Sequence, residues 1–228
     1  MTLGNDSVAN GGVWFADLKR NNPFRRMTRF ERTVWESGFA RIAGVDEAGR
    51  GPLAGPIVAA AVILGKPHRG INDSKLLTPE ERETAFAKLH DEAHCIGVQV
   101  IDVATIDAHG IQAANYMAMA GAAAKLRPAA EFLLVDGFRI KGCSFPQQHI
   151  IKGDQRSMSI AAASIVAKVT RDRIMVELAQ QYPQYGFERH KGYSTPEHFE
   201  KLREHGPCAI HRKSFAPIAE ALETANLF

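Results

Sequence analysis

Asp46 and Glu47 are neighbouring carboxylates at the end of a short apolar run, Ile42-Ala43-Gly44-Val45. Two like charges side by side resist burial unless a cation or another partner compensates them. The pattern of an apolar run ending on an acid occurs twice more. Asp136 closes the run from Glu131 to Val135, and Asp154 follows His149 to Lys152 and Gly153. If these ends converge at one sheet edge, four carboxylates meet, and they cannot stay together as anions without a counter-charge. Hard oxygen donors of this kind suit Mg²⁺ or Mn²⁺. Two such ions about 4 Å apart activate a water, orient a scissile phosphate and stabilise the leaving oxygen. The chemistry expected is hydrolysis of a phosphodiester.

A turn follows the first acid pair at Gly49-Arg50-Gly51. Glycines let the backbone approach a ligand closely and expose N–H groups, and Arg50 between them is a cation suited to phosphate. The alternative for this stretch is a salt-bridged hairpin turn. Alternation along a strand sends residues i and i+1 to opposite faces. Asp46 and Glu47 therefore share a site only if the strand ends or bulges there, or if one side chain reaches round.

Other polar residues have weaker claims. Lys75, in Asn72-Asp73-Ser74-Lys75-Leu76, is either a phosphate contact or a solvated loop lysine. His190, His198, His205 and His211 fall within residues 183–215 without a tight ligand pair, so a zinc centre is not expected. Arg189, Lys191, Arg212 and Lys213, with Tyr185 and Tyr193, suggest instead a surface for a nucleic-acid strand. Lys168, Arg171 and Arg173 are expected to face solvent or a phosphate backbone, and Asp172 to be an i,i+4 partner rather than a ligand.

The elements that must position these residues can be outlined. Residues 28–38 place Phe30, Val34 and Trp35 at helical spacing. Strand, tight turn and strand follow over Ile42–Leu64. Thr78-Pro79-Glu80-Glu81 starts a helix running to about residue 92. Alternation over Cys95–Ile101 predicts a strand, and the alanine-rich Ile111–Leu126 a helix. The longest helix should span Ser157–Tyr182, with Ile160, Ile165, Val169 and Met175 near one face. Thr195-Pro196-Glu197 caps another helix, to about His205, and a last helix and tail begin at Ala216.

With 228 residues, 45% hydrophobic and 23% charged, the chain suits one domain with a real core. We divide it into a leader over 1–27, a catalytic unit over 28–216 and a tail over 217–228. A net charge of +3 is too small by itself to announce nucleic acid. Cys95, Cys143 and Cys208 are widely spaced, which suggests buried thiols in a reducing compartment. No apolar run reaches the roughly 18 residues of a membrane span, and no signal peptide is legible. A cytoplasmic protein is expected.

The stretch IAGVDEAGRGPLAGPIVAAAVIL closely resembles the signature of bacterial type 2 ribonuclease H, the ribonuclease HII family. The resemblance covers roughly residues 28–216 in several separate blocks. It implies an α/β fold: a ribonuclease H-like mixed five-stranded sheet flanked by helices, with a C-terminal helical extension. The family's four acids fall on Asp46, Glu47, Asp136 and Asp154. The first three are implied as metal ligands, and Asp154 as a ligand or a mainly catalytic group. The implied reaction, with two divalent ions, cleaves RNA in RNA–DNA hybrids and on the 5′ side of single ribonucleotides in duplex DNA. It leaves 3′-hydroxyl and 5′-phosphate ends.

Gly49, Arg50 and Gly51 match the family's turn that senses the 2′-hydroxyl. Tyr193 matches the tyrosine that packs under the adjoining deoxyribose, and Lys75 lies in a block close to substrate. The ending Asn226-Leu227-Phe228 is similar to peptides that dock on the replication sliding clamp; the alternative is a frayed hydrophobic end. Type 3 ribonuclease H, the rival within the superfamily, has a large N-terminal domain and a Gly-Lys-Gly turn. A catalytically silent nucleic-acid-binding protein is the rival from another class. Four acids argue against it, since without metal they would repel phosphate.

Overall fold

β2 (Ile57–Ile63), with the sequence IVAAAVI, is buried at every position. A strand apolar on both faces must be covered on both, and that requirement organises the fold. The architecture comes from a computed structural model that describes residues 23–67, 71, 74, 77–91 and 95–225.

β1 (Ile42–Ala48) lies at the centre of a five-stranded sheet. β2 and then β3 (Cys95–Ile101) add antiparallel on one side. β4 (Phe132–Asp136) and then β5 (Gln147–Ile150) add parallel on the other. This is the mixed five-stranded sheet that the family resemblance implied.

Eight α-helices occur among the described residues. They are α1 (Arg29–Glu36), α2 (Pro79–Asp91), α3 (Val103–His109), α4 (Ile111–Ala124), α5 (Met158–Gln181), α6 (Phe187–His190), α7 (Pro196–His205) and α8 (Ala216–Ala225). The alanine-rich α4 covers one face, packing on Ala43, Val45, Ala59 and Leu133. α5 covers the other, packing on Ala48, Ala60 and Val62 through Ala161, Ala162 and Ile165. Small side chains bring α5 very close to the sheet. A Cβ at Gly44 would run into the backbone of Ser159, so only glycine is accommodated there.

Ser157 caps α5 by accepting from Ile160 N–H. Beneath that cap the buried Glu31 of α1 accepts from Ser157 Oγ at 2.6 Å, Ser159 Oγ at 2.7 Å and Ser159 N–H at 3.0 Å. The first turn of the longest helix is thereby tied to the first helix of the described chain.

Some expectations need correction. α5 is buried nearly all round in its first half rather than along one face, because it is wedged between sheet and α2. Asp154 does not end a strand: β5 stops at Ile150, and Asp154 sits in a short 3₁₀ helix, Gly153–Gln155. The last helix begins at Ala216 as expected and runs to Ala225, with Ile218 buried against Leu53 and Leu202. Of the cysteines only Cys95 is fully buried. Lys75 and the Asn226-Leu227-Phe228 ending lie outside the described residues, as do positions 1–22 of the leader. No helix among the described residues is long and apolar enough to cross a membrane.

Candidate active site

Parallel pairing of β1 with β4 puts Val45 opposite Val135, so Asp46 comes beside Asp136 where the paired stretch ends. On its other edge β1 stays paired with β2 as far as Ala48 opposite Val58. The sheet therefore opens on one side only, at the C-terminal end of β4, where open α/β sheets gather ligands. β1 neither bulges nor ends at the acids. Gly44 and Ala48 face α5 and Val45 faces α4, so alternation points Asp46 to the α5 side and Glu47 to the α4 side. The open edge lets carboxylates from both faces act on one space.

Electrostatics record that convergence. Burial pushes the Asp46 carboxyl well above its usual range, and the charges of Glu47, Asp136 and Asp154 push it further. Burial also raises Glu47, with Asp136 adding to the shift; Arg50 and a hydrogen bond from Asn115 oppose it. Asp46 Oδ1 accepts from Glu47 N–H at 2.7 Å. Asp136 Oδ1 accepts from Gly153 N–H at 2.6 Å, tying the end of β4 to the turn that carries the buried Asp154. Among the described residues, no three Asp, Glu, His or Cys side chains already close into a ligating cage.

The donor set nonetheless fits a hard divalent cation. Carboxylates from three segments share one electrostatic neighbourhood, and Asn115 Oδ1, beside Glu47, is buried without a hydrogen-bond partner. A small cleft opens over them, lined by Glu47, Arg50, Asn115, Asp136 and Phe138.

The glycine turn is built from below. Gly49 has φ +97°, and a Cβ there would collide with the Arg171 side chain. Arg212 is wholly buried and donates to the carbonyls of Gly49 at 2.5 Å, Arg50 at 3.0 Å and Gly55 at 2.9 Å. Arg171, also buried, donates to Ala54 O at 3.1 Å and Pro56 O at 3.0 Å. Burial lowers both guanidiniums from the usual arginine range. Arg50 does not project freely: it lies 3.6 Å from Glu47 and donates to Gln112.

Tyr193 reaches the same region because Leu53 N–H donates to Gly192 O at 2.8 Å. Its ring is 39% exposed, with Lys168 Nζ and Arg171 Cζ 5.5 and 5.6 Å from the centroid. Behind it His211 and His198 are buried as hydrogen-bonded imidazoles, and His190 stacks on His198. His211 Nδ1 accepts from Cys208 N–H, so its Nε2–H donates to His198 Nε2 at 3.0 Å. The Nδ1–H of His198 then donates to Tyr193 O at 2.9 Å.

The fold thus brings Asp46, Glu47, Asp136, Asp154, Gly49, Arg50, Gly51 and Tyr193 into one region. It withdraws others from the surface they were expected to form. Arg171, Arg212 and Tyr185 are buried, and so, outside that expectation, are His190, His198 and His211. Arg189 pairs with Glu188 and Glu197. Asp172 pairs with Lys168 at 2.8 Å, the i,i+4 relation expected of it.

Sequence reasoning missed Phe138, which is 62% exposed beside Asp136, and left Asn115 without a role. Phe138 follows the Asp136-Gly137 pair that ends β4, and an aromatic placed there was the available signal. A guanidinium that will bind main-chain carbonyls has no signal in its neighbours, since its partners are backbone.

A family model described as Ribonuclease HII matches residues 43–218. A ribonuclease HII of Geobacillus kaustophilus (strain HTA426) is 53% identical over 205 residues, covering 89% of this chain and 78% of that protein. Among solved structures, ribonuclease H2 from Pyrococcus horikoshii OT3 superposes with a TM-score of 0.69 at 29% identity. That match covers 82% of this chain and 99% of the other. A ribonuclease HII from Archaeoglobus fulgidus, solved as a complex with PCNA, gives 0.66 at 26% identity, covering 77% and 95%.

Proposed function

The chain belongs to the ribonuclease HII family of metal-dependent endonucleases hydrolysing RNA in RNA–DNA hybrids, and from that premise we propose how its own residues act. Asp46, Glu47 and Asp136 hold the divalent ions, Mg²⁺ or Mn²⁺, and Asp154 is a fourth ligand or a catalytic group beside them. When bound, two such ions supply an activated water and neutralise charge on the scissile phosphate.

Everything else is done by the protein. Gly153 N–H fixes one oxygen of Asp136, and Asn115 holds Glu47, so both carboxylates are oriented before substrate arrives. Gly49, Arg50 and Gly51 present backbone groups to the 2′-hydroxyl, the feature that separates RNA from DNA. Arg212 draws the carbonyls of Gly49 and Arg50 inward and so sets the peptide planes of that turn. Tyr193 lies under the neighbouring sugar, and a ribose there would crowd its ring.

The substrates are RNA–DNA hybrids and duplex DNA holding single ribonucleotides. The cut falls 5′ to the ribonucleotide and leaves 3′-hydroxyl and 5′-phosphate ends, as ribonucleotide removal in the cytoplasm requires. The observation carrying this reading is the register that sets Asp46 beside Asp136, with Gly153 tying in the turn of Asp154, next to a turn built of glycine backbone. Docking of the C-terminal ending on a sliding clamp is a proposal for that tail, and the A. fulgidus relative forms a complex with PCNA.

The test is a DNA duplex with one embedded ribonucleotide, incubated with Mg²⁺, Mn²⁺ or EDTA, with product ends mapped. Cleavage 5′ to the ribonucleotide with either metal and none with EDTA is expected. Cutting that ignores the ribonucleotide, or that survives EDTA, would overturn the reading.

A further inference from the structure

A cluster of carboxylates repels the phosphates it must cut, so a duplex has to be held by cations around it. On the Tyr193 side those cations are largely committed. Lys168 pairs with Asp172, Arg173 with Glu83, and Arg189 with Glu188 and Glu197.

The Asp154 side differs. The 3₁₀ turn carries Asp154 inward, while Lys152 and Arg156 from the same turn line a surface cleft of about 400 Å³ with Arg26, Arg29, Ile151 and Gln155. Among the described residues, no carboxylate lines this cleft. Among the described residues, none pairs with any of the four cations.

Their placement is organised. The guanidiniums of Arg29 and Arg156 both sit over the Phe30 ring, at 4.4 and 5.2 Å from its centroid. Arg156 is held further by a 3.0 Å hydrogen bond to Ile151 O. Like charges gathered around one ring repel, and an anion between them relieves the repulsion. Lys152 adopts left-handed backbone, φ 54° and ψ 48°, which costs a residue with a Cβ about 1 kcal/mol. That conformation puts an exposed ammonium two residues from Asp154.

We propose that the cleft of Arg26, Arg29, Lys152 and Arg156 grips backbone phosphates of the duplex being cut, at a distance from the scissile bond. The proposal rests on the ribonuclease reading above. The contact is to phosphate and so is indifferent to sequence and to the sugar. It lengthens the track of duplex that the enzyme covers, on the side of the site away from Tyr193.

The test uses Lys152→Gly with Arg26→Gln in the full chain. Glycine removes the charge while suiting the left-handed backbone, so the melting temperature should hold or rise. Substrates carry one ribonucleotide and have a long arm on both sides, or one arm trimmed on either side. On the long duplex the double variant should raise KM about tenfold with kcat unchanged. The dependence of log Kd on log salt, read by anisotropy, should become shallower by about 2, near one unit per phosphate released. Trimming one particular arm should erase the difference between variant and wild type; trimming the other should leave it.

An unchanged KM and salt slope on the long duplex would overturn the proposal. So would an equal defect whichever arm is trimmed, which would mean diffuse electrostatics. Failure of the wild type to cut any of these duplexes would strike the ribonuclease reading instead, and the anisotropy slopes would still judge the cleft.

Discussion

Two groups of buried charge lie within a few residues of each other and are treated in opposite ways. Asp46 and Glu47 are like charges raised by burial and by the acids around them, with Arg50 as the opposite charge beside Glu47. Arg171 and Arg212 are also like charges, buried without an ion-paired carboxylate among the described residues, yet all their donors but Arg171 Nη1 meet the carbonyls of Gly49, Arg50, Ala54, Gly55 and Pro56. A buried charge whose hydrogen bonds come from the fold is closed to ligands and serves stability. One whose compensation the fold leaves incomplete is open to a cation and serves chemistry. Changes in the two groups should therefore move different observables.

Asp136→Asn should produce the largest effect, and on activity alone. It removes a hard ligand while its Oδ1 can still accept from Gly153 N–H. Hydrolysis should fall by about a thousandfold or more. Metal-free stability should hold or rise, because one member of a repelling set becomes neutral. Thermal melts in EDTA beside single-turnover cleavage in Mg²⁺ read both. A variant that loses stability but keeps its rate would break the distinction.

Arg212→Met should do the reverse at the level of folding. Several buried carbonyls lose a charged donor together, at a cost of about 3–5 kcal/mol. In a chain of this size that lowers the melting temperature by roughly 10 °C. A melt within a degree or two of wild type would mean that the glycine turn needs no support from below.

The open group was far more legible in the sequence than the closed one. Asp46, Glu47 and Asp136 stand at the ends of apolar runs, and strand periodicity followed by an acid is a local pattern. Asp154 was grouped with the acids for partly the wrong reason, since it sits on a 3₁₀ turn after β5 rather than at a strand end. The first four strands and the long helix follow from apolar runs that have to be covered, whereas β5, Gln147-Gln148-His149-Ile150, carries no such run. Arg171 and Arg212 could not be read. Helical periodicity on α5 is blurred by burial all round, and a guanidinium that binds main-chain oxygens leaves no complementary acid to notice. The buried histidines could not be placed for the same reason: their partners are Cys208 N–H, Tyr193 O and each other.

Those histidines extend the closed group and give it a pH signature. Burial, and then His198, push His211 down to about 4 from 6.5. A histidine depressed in the folded state contributes stability that is whole above its unfolded pKa and is lost as pH falls toward the folded one. Stability should drop by on the order of 3 kcal/mol between pH 6.5 and 4 from this group. His211→Gln should flatten that limb of the melting-temperature profile. An unaltered limb would remove the imidazole chain from the account.

Glu31 is the case that tests the rule most finely, because it is a carboxylate handled like the buried arginines. Its Oε1 accepts from two serine hydroxyls and a main-chain N–H at the start of α5, while Oε2 is buried without a partner. Burial dominates and raises its pKa, with those hydrogen bonds opposing. A raised carboxylate contributes stability that is whole below its unfolded value and is lost as pH climbs through the folded one. Glu31→Gln keeps an oxygen for the three donors and removes the charge. It should change stability by no more than about 1 kcal/mol. The variant should gain on the wild type as pH rises above 4.5, and kcat should not change, since Glu31 is engaged with Ser157 and Ser159 rather than with the four acids. If kcat fell with Mg²⁺ present and the melting profiles coincided, Glu31 would belong with the acids that work on substrate, and closure by hydrogen bonds would not be what separates the two groups.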